Sequence, residues 1–276
     1  MKVLLLDGYN MLHRCRFNWG GGKAEGEHQI TYNFMRLLKS TIDDFKPDDV
    51  YFVIDGKPVK RLEAFPAYKE NRREEITDPE EIAYWESYHR QKRNCLKFLR
   101  EDLPVITAYH KDYEADDVIY HLAKNKFTSD DEVIIISSDT DYIQVCSELD
   151  YVKLFNPIKR EYREAPEYDY VSWKAMVGDR SDNIPGVYRI GKVKAEKILK
   201  NGELQDKLKE ETFRSQYEEA YSLIKLDDMS DVNDIEYTEK LFNLDLLKEE
   251  FQTMEFQSML EESYLSDYED TFKTLL

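Results

Sequence analysis

Three short runs rich in Val, Ile and Leu lead to an aspartate: Val3 to Leu6 before Asp7, Val50 to Ile54 before Asp55, and Val133 to Ile136 shortly before Asp139. Continuous rather than alternating apolarity predicts strands buried on both faces, as in a parallel sheet. Between them, helical periodicity covers Ile30 to Phe45 and Asp116 to Lys126. The alternation predicts an α/β fold, a mostly parallel central sheet flanked by helices. Ligand sites in such sheets lie outside the carboxyl ends of the strands, so the three aspartates are expected to share one crevice. Aspartate at a strand end is also an ordinary turn or cap residue. Three strands out of three weaken that explanation, and Gly8 and Gly56 fit tight turns that leave the carboxylates projecting.

Further acids come in pairs. Glu114-Ala115-Asp116-Asp117 precedes the periodic run Val118, Ile119, Leu122, Ala123, and Glu114 and Asp117 are spaced to share a helix face. Acids in a first helical turn also complement the helix dipole. Asp139-Thr140-Asp141 and Gly178-Asp179-Arg180-Ser181-Asp182-Asn183 each add two carboxylates, although turn formation explains either alone. The whole set is Asp7, Asp55, Glu114, Asp116, Asp117, Asp139, Asp141, Asp179 and Asp182. Gathered in one crevice, nine carboxylates repel each other unless divalent cations neutralise them. Oxygen donors without His or Cys favour Mg2+, with Mn2+ as a substitute, over zinc. Two such ions about 3.5 to 4 Å apart suit phosphodiester cleavage, one activating water and the other holding the leaving oxygen.

The charge of the 276-residue chain is −18, which as an average argues against a polyanionic partner. Resolved by region the picture changes. Residues 201 to 276 hold 21 acidic against 7 basic residues, and with the nine crevice acids set aside residues 1 to 200 hold 32 basic against 27 acidic. The acidic region contains apolar and aromatic residues such as Leu241, Phe242, Leu247 and Phe251, so packed helices with a solvated face are expected there. Basic residues cluster at Lys57 to Arg73, at Arg90, Lys92, Arg93, Lys97 and Arg100, and at Arg189 to Lys200. Solvated helix faces are the ordinary reading of one such cluster, whereas three beside acidic groups suggest a phosphate path. Cys15, Cys95 and Cys146 match neither a disulfide framework nor a zinc site, and no run is long enough for a signal or membrane segment. A soluble protein of the cytoplasm, the host cytoplasm if viral, is the expectation.

Seven stretches in order carry a resemblance to the flap endonuclease and 5′-nuclease family. They are Leu6-Asp7-Gly8-Tyr9-Asn10, Asp55-Gly56-Lys57, Tyr68-Lys69-Glu70-Asn71-Arg72, Glu114-Ala115-Asp116-Asp117, Ser138-Asp139-Thr140-Asp141, Gly178 to Gly186, and Ile190-Gly191-Lys192. The chain most resembles stand-alone bacteriophage 5′-3′ exonucleases and the 5′-nuclease domain of bacterial DNA polymerase I. The resemblance implies a PIN-like catalytic core over residues 1–168 and a helical region over 169–276. It assigns all nine carboxylates to the metal centre, with Lys69 and Arg72 as catalytic cations on the first helix of an arch spanning about 69–101.

DNA contacts are expected from Tyr68, whose ring would stack on an unpaired base, from Arg73, and from Arg90 and Arg93 on an arch helix starting at Pro79. Glu74, Glu75, Asp78, Glu80 and Glu81 make that arch more acidic than a passage for a 5′ strand suggests. A helix-three-turn-helix element at about 183–200 would grip duplex DNA through Gly186, Gly191, Lys192, Lys194 and Lys197, and in relatives holds K+. The implied activity is Mg2+-dependent 5′-3′ exonuclease and flap endonuclease cleavage of DNA, or of RNA primers, at 5′ single-strand/duplex junctions in replication. A junction-binding protein with weak catalysis and a PIN-like ribonuclease are the alternatives. A monomer is expected. Gln257-Ser258-Met259-Leu260 with Tyr264 faintly resembles a sliding-clamp peptide but lacks its second aromatic, so neither a clamp nor a single-strand-binding partner has support.

Overall fold

The computed structural model describes residues 1–18, 21–73, 77–230, 232 and 234–276. The first part of the chain runs β1 (Lys2–Asp7), α1 (Gly8–Arg14), α2 (Gln29–Phe45), β2 (Asp49–Ile54), α3 (Val59–Ala64), α4 (Pro79–Glu101), β3 (Ile106–Tyr109), α5 (Ala115–Asn125), β4 (Glu132–Ile136), α6 (Ile143–Glu148), β5 (Val152–Asn156) and β6 (Glu161–Arg163). The remainder runs α7 (Tyr170–Val177), β7 (Gly178–Asp179), β8 (Ile184–Pro185), α8 (Lys192–Lys200), α9 (Leu204–Lys207), α10 (Glu211–Ile224), β9 (Glu236–Tyr237), α11 (Leu244–Thr253) and α12 (Glu262–Lys273).

The main sheet has the order β6-β5-β4-β1-β2-β3-β9, parallel from β5 to β3 with an antiparallel strand at each edge. The apolar runs are strands because both of their faces are covered. Leu4 and Leu6 join a core under α1, α2, α4 and α12, whereas Val3 and Leu5 join one under α5 and α6. A third core lies among α7, α8 and α10, and Tyr68 is part of it. Gly56 has to be glycine, since a Cβ there would lie 2.0 Å from the His110 carbonyl oxygen.

Residues 169–276 are mostly helical, as expected, and they pack onto the core rather than apart from it. Their β9 completes the main sheet against β3, and their α11 and α12 pack with α2 and α4. Lys39 pairs with Asp267 at 2.6 Å, and Thr271 Oγ1 donates to Asp43 at 2.7 Å. The acidic region is thus packed helices, as its pattern predicts. Met259 is fully buried, so the Gln257 to Leu260 segment is packed into the fold through it.

The arch differs from expectation as well. Its second helix, α4, starts at Pro79 behind an Asp78 cap, and its later part docks on α2 through Gln91, whose Oε1 accepts the Ile30 and Thr31 N–H groups at 2.8 and 3.2 Å. The expected first helix is a single 3-10 turn, Glu70–Arg73. Glu74 and Glu75 lie outside the described residues, as does the side chain of Arg73. Among the described residues no helix is long and apolar enough to cross a membrane.

Candidate active site

Strand order reverses at β1, with β2 on one side and β4 on the other, which opens a crevice at the strands' carboxyl ends. Asp7 ends β1 and caps α1, accepting from the Asn10 N–H at 3.2 Å and from Ser137 Oγ at 2.8 Å. Asn10 clasps the end of β4, donating to Ser138 Oγ at 2.8 Å while its Oδ1 accepts the Ser138 N–H at 3.3 Å. Asp55, one residue past β2, accepts the Ala115 N–H at 2.8 Å and so ties β2 to the start of α5. Asp116 accepts from the Tyr142 hydroxyl at 2.5 Å, and the Asp139 N–H donates to Ser137 Oγ at 3.0 Å.

These four acids form an inner set with no lysine or arginine in ion-pair contact among the described residues. Burial, then the charge of Asp55, pushes the Asp7 carboxyl up to about 7. Asp116 is raised well above the carboxylate range by burial and then by Asp139, Asp7 and Asp55. Burial also raises Asp55, against the opposing Ala115 hydrogen bond. Such crowding without a cation favours protonation.

An outer set is neutralised by the chain itself. Lys69 lies 2.5 Å from Glu114 and 3.5 Å from Asp182, and Arg72 also pairs with Asp182. Lys174 bridges Asp141 and Asp179, at 2.7 Å from the latter. Both acids touch the same ammonium yet shift oppositely. Burial outweighs Lys174 at Asp141, which faces Asp139 and is raised to about 6. At Asp179 burial is outweighed by Lys174 and by two hydrogen bonds from Ser181, which hold it at about 2. Asp141, Asp179 and Asp182 present oxygens within 4.8 Å of one another. Among the described residues this outer trio is the group that brings three ligand oxygens together, and its all-oxygen donors suit a hard divalent ion.

Eight of the nine carboxylates therefore belong to these two sets, and Asp117 does not. It lies against Arg61, whose guanidinium donates two hydrogen bonds to it at 2.6 and 2.8 Å, and it also accepts the Asp227 N–H at 2.9 Å. Glu114 and Asp117 do share a helix face, but that face is turned to Arg61, which reaches Glu114 at 3.1 Å. Arg61 is thereby committed within the fold, although it belongs to the first basic cluster.

Tyr68 offers no face to a base. It is 3% exposed, and its hydroxyl donates to Glu114 at 2.8 Å, so it orients that carboxylate from within the third core. Lys69 holds a left-handed φ of 55°, and its N–H donates to the Asp182 carbonyl at 2.9 Å, which fixes where its ammonium enters the crevice. Arg90 and Arg93 are exposed on α4, and Lys192, Lys194 and Lys197 are exposed on α8, which Gly191 caps. Gly186 serves the fold, since a Cβ there would sit 2.4 Å from the Val177 backbone. Around Gly191 the space is open.

The family model described as "5'-3' exonuclease, N-terminal resolvase-like domain" matches residues 2–175. The chain belongs to the 5′-3′ exonuclease family. It is 34% identical to the thermostable DNA polymerase I of Thermus caldophilus over 219 residues, covering 75% of this chain and 25% of that protein. With DNA polymerase I of Bacillus subtilis the identity is 29% over 224 residues, covering 76% and 24%. The chain thus spans about a quarter of the length of these relatives. The bacteriophage T5 5′-exonuclease with bound zinc shares its fold at a TM-score of 0.69 and 20% identity over the whole of both chains. A bacteriophage T5 flap endonuclease complex with DNA and metal ions aligns at 0.68 and 19%, covering 100% of this chain and 99% of that one.

In this member of the 5′-3′ exonuclease family, sequence reasoning passed over Lys174, Tyr142 and Ser137. Lys174 carried a signal, because it is the one charged residue in the stretch Tyr170–Val177, just ahead of Gly178-Asp179. Tyr142 and Ser137 gave none, since a buried Tyr and a strand-end Ser are ordinary core and turn residues.

Proposed function

We propose that the chain is a divalent-metal-dependent nuclease that cuts one DNA phosphodiester near the junction of a duplex with a 5′ single strand, removing flaps or primers in replication. The observation that carries this reading is the two-tier carboxylate crevice at the β1/β4 switch point, with Lys69 and Arg72 on its outer acids. Metal ions and DNA accompany the bacteriophage T5 flap endonuclease of the same fold. Asp7, Asp55, Asp116 and Asp139 would hold one Mg2+ and Asp141, Asp179 and Asp182 a second, while Glu114 is engaged by Lys69, Tyr68 and Arg61. When bound, the ions supply Lewis acidity to the scissile phosphate and make water more acidic.

The chain's own residues do the rest. Lys69 and Arg72, steered by Glu114 and Asp182, bring positive charge to phosphoryl oxygens as negative charge develops there. Tyr68 and Arg61 hold Glu114 in place. Exposed Lys192, Lys194 and Lys197 beside the open N-terminus of α8 suit duplex phosphates and confer no sequence preference. The test is incubation with a 5′-flap duplex and with single-stranded RNA, in Mg2+ and in EDTA. Flap cleavage in Mg2+ alone supports the reading, whereas cleavage of RNA only, or equal cleavage in EDTA, contradicts it.

A further inference from the structure

Three of the four inner acids are held by the main chain: Asp7 accepts the Asn10 N–H, Asp55 the Ala115 N–H and Asp139 the Asp141 N–H, at 3.2, 2.8 and 2.9 Å. Asp116 has no such support. Among the described residues its carboxylate accepts one hydrogen bond, at Oδ1, from the Tyr142 hydroxyl at 2.5 Å. Tyr142 comes directly after the outer acid Asp141 and opens α6, where its carbonyl accepts the Val145 and Cys146 N–H groups at 3.1 and 3.2 Å. Its side chain is fully buried in the core under α5 and α6, so close packing fixes the ring that carries the hydroxyl.

Phenylalanine fills an apolar core position without a polar atom to satisfy, whereas a buried hydroxyl without a partner is destabilising. Among the described residues the Tyr142 hydroxyl finds its acceptor in Asp116. The bond takes one carboxylate oxygen and leaves Oδ2 without a donor from the chain. One free oxygen on a fixed carboxylate suits a small ion that demands regular octahedral geometry, as Mg2+ does, and the groups behind a ligand set its orientation. We propose that Tyr142 positions Asp116 as a one-oxygen ligand of the inner ion and thereby sets how tightly that ion is held. This rests on the nuclease reading above and adds a positioning residue to it.

The experiment is a calorimetric titration of Mn2+ into the DNA-free wild-type chain, Tyr142→Phe and Tyr120→Phe. Tyr120 is the control, because it is buried in the same core and its hydroxyl donates to Glu148, which is not one of the crevice acids. Both variants keep their rings, so the packing of the core is retained. Tyr142→Phe should weaken the binding of one ion by about tenfold or more, the scale on which a group behind a metal ligand acts. Its half-saturating Mg2+ concentration for flap cleavage should rise by a similar factor. Tyr120→Phe should bind Mn2+ as wild type does, which a general loosening of the core would not allow. Unchanged Mn2+ binding in Tyr142→Phe, or the same loss in Tyr120→Phe, overturns the Tyr142 assignment alone. A wild-type chain that binds no Mn2+ and cuts no flap in Mg2+ overturns the nuclease reading and this inference with it.

Discussion

Arg61 and Asp117 form a bidentate ion pair, 2.6 and 2.8 Å between their atoms, behind the carboxylate crevice rather than in it. The same guanidinium donates through Nε to the Leu223 carbonyl at 2.9 Å. One side chain therefore joins α3, the start of α5 and the end of α10, the helix that packs beside α7 and α8. Asp117→Ala should cost about 3 kcal/mol or more of unfolding free energy, because it leaves a buried guanidinium without its partner. Replacing both residues by apolar ones should cost less than the two single changes summed. Denaturant titration measures this. An Asp117→Asn variant of unchanged stability but weakened Mg2+ binding would return Asp117 to the metal centre.

Lys174 neutralises Asp141 and Asp179 from a buried position. Lys174→Met should lower the thermal midpoint of the metal-free chain at neutral pH, since two facing carboxylates then lack a counter-charge. Added Mg2+ should raise the midpoint more in the variant than in wild type. Equal shifts in both would mean that the lysine does not serve the outer acids.

Stability without metal should depend on pH in a stated direction. The Asp7 carboxyl is raised from 3.8 to about 7 and that of Asp141 to about 6, so the folded chain holds protons that the unfolded chain has released. Stability is then full below about 4 and falls as pH rises to about 7. Asp179, lowered to about 2, acts oppositely and only in more acidic solution. Melting curves in EDTA from pH 4 to 8 check this, and Mg2+ should flatten the decline. A metal-free midpoint that rises over this range would contradict the electrostatic description.

Lys69→Ala and Arg72→Ala should each reduce single-turnover cleavage by about a hundredfold or more, as expected when a charge aimed at the transition state is removed. Flap affinity measured in Ca2+ should change much less. A loss of affinity equal to the loss in rate would make these residues binding groups only.

The buried strands and the three aspartates that follow them, Asp7, Asp55 and Asp139, were legible because strand runs and their terminal aspartates are local patterns, and the other five crevice acids because they come in short acidic pairs. Asp117 was misplaced because adjacent helical residues point about 100° apart, and only the docked rotation of α5 decides which of Asp116 and Asp117 meets the crevice. Tyr68 reads identically as a stacking aromatic and as a core residue until the third core is assembled around it. The return of α12 to α2 and the pairing of two-residue β9 with β3 depend on contacts far apart in sequence, with no local signal.

The most direct test of the crevice as a metal-dependent nuclease centre is single-turnover cleavage of a 5′-labelled flap in Mg2+ by the wild-type chain and by Asp139→Asn. Asp139 joins the inner set through Ser137, without contact to the outer cations. Wild type should release the flap near the junction, and the variant should be slower by about a thousandfold while folding and binding DNA in Ca2+ as wild type does. Equal rates for the two proteins would contradict the account.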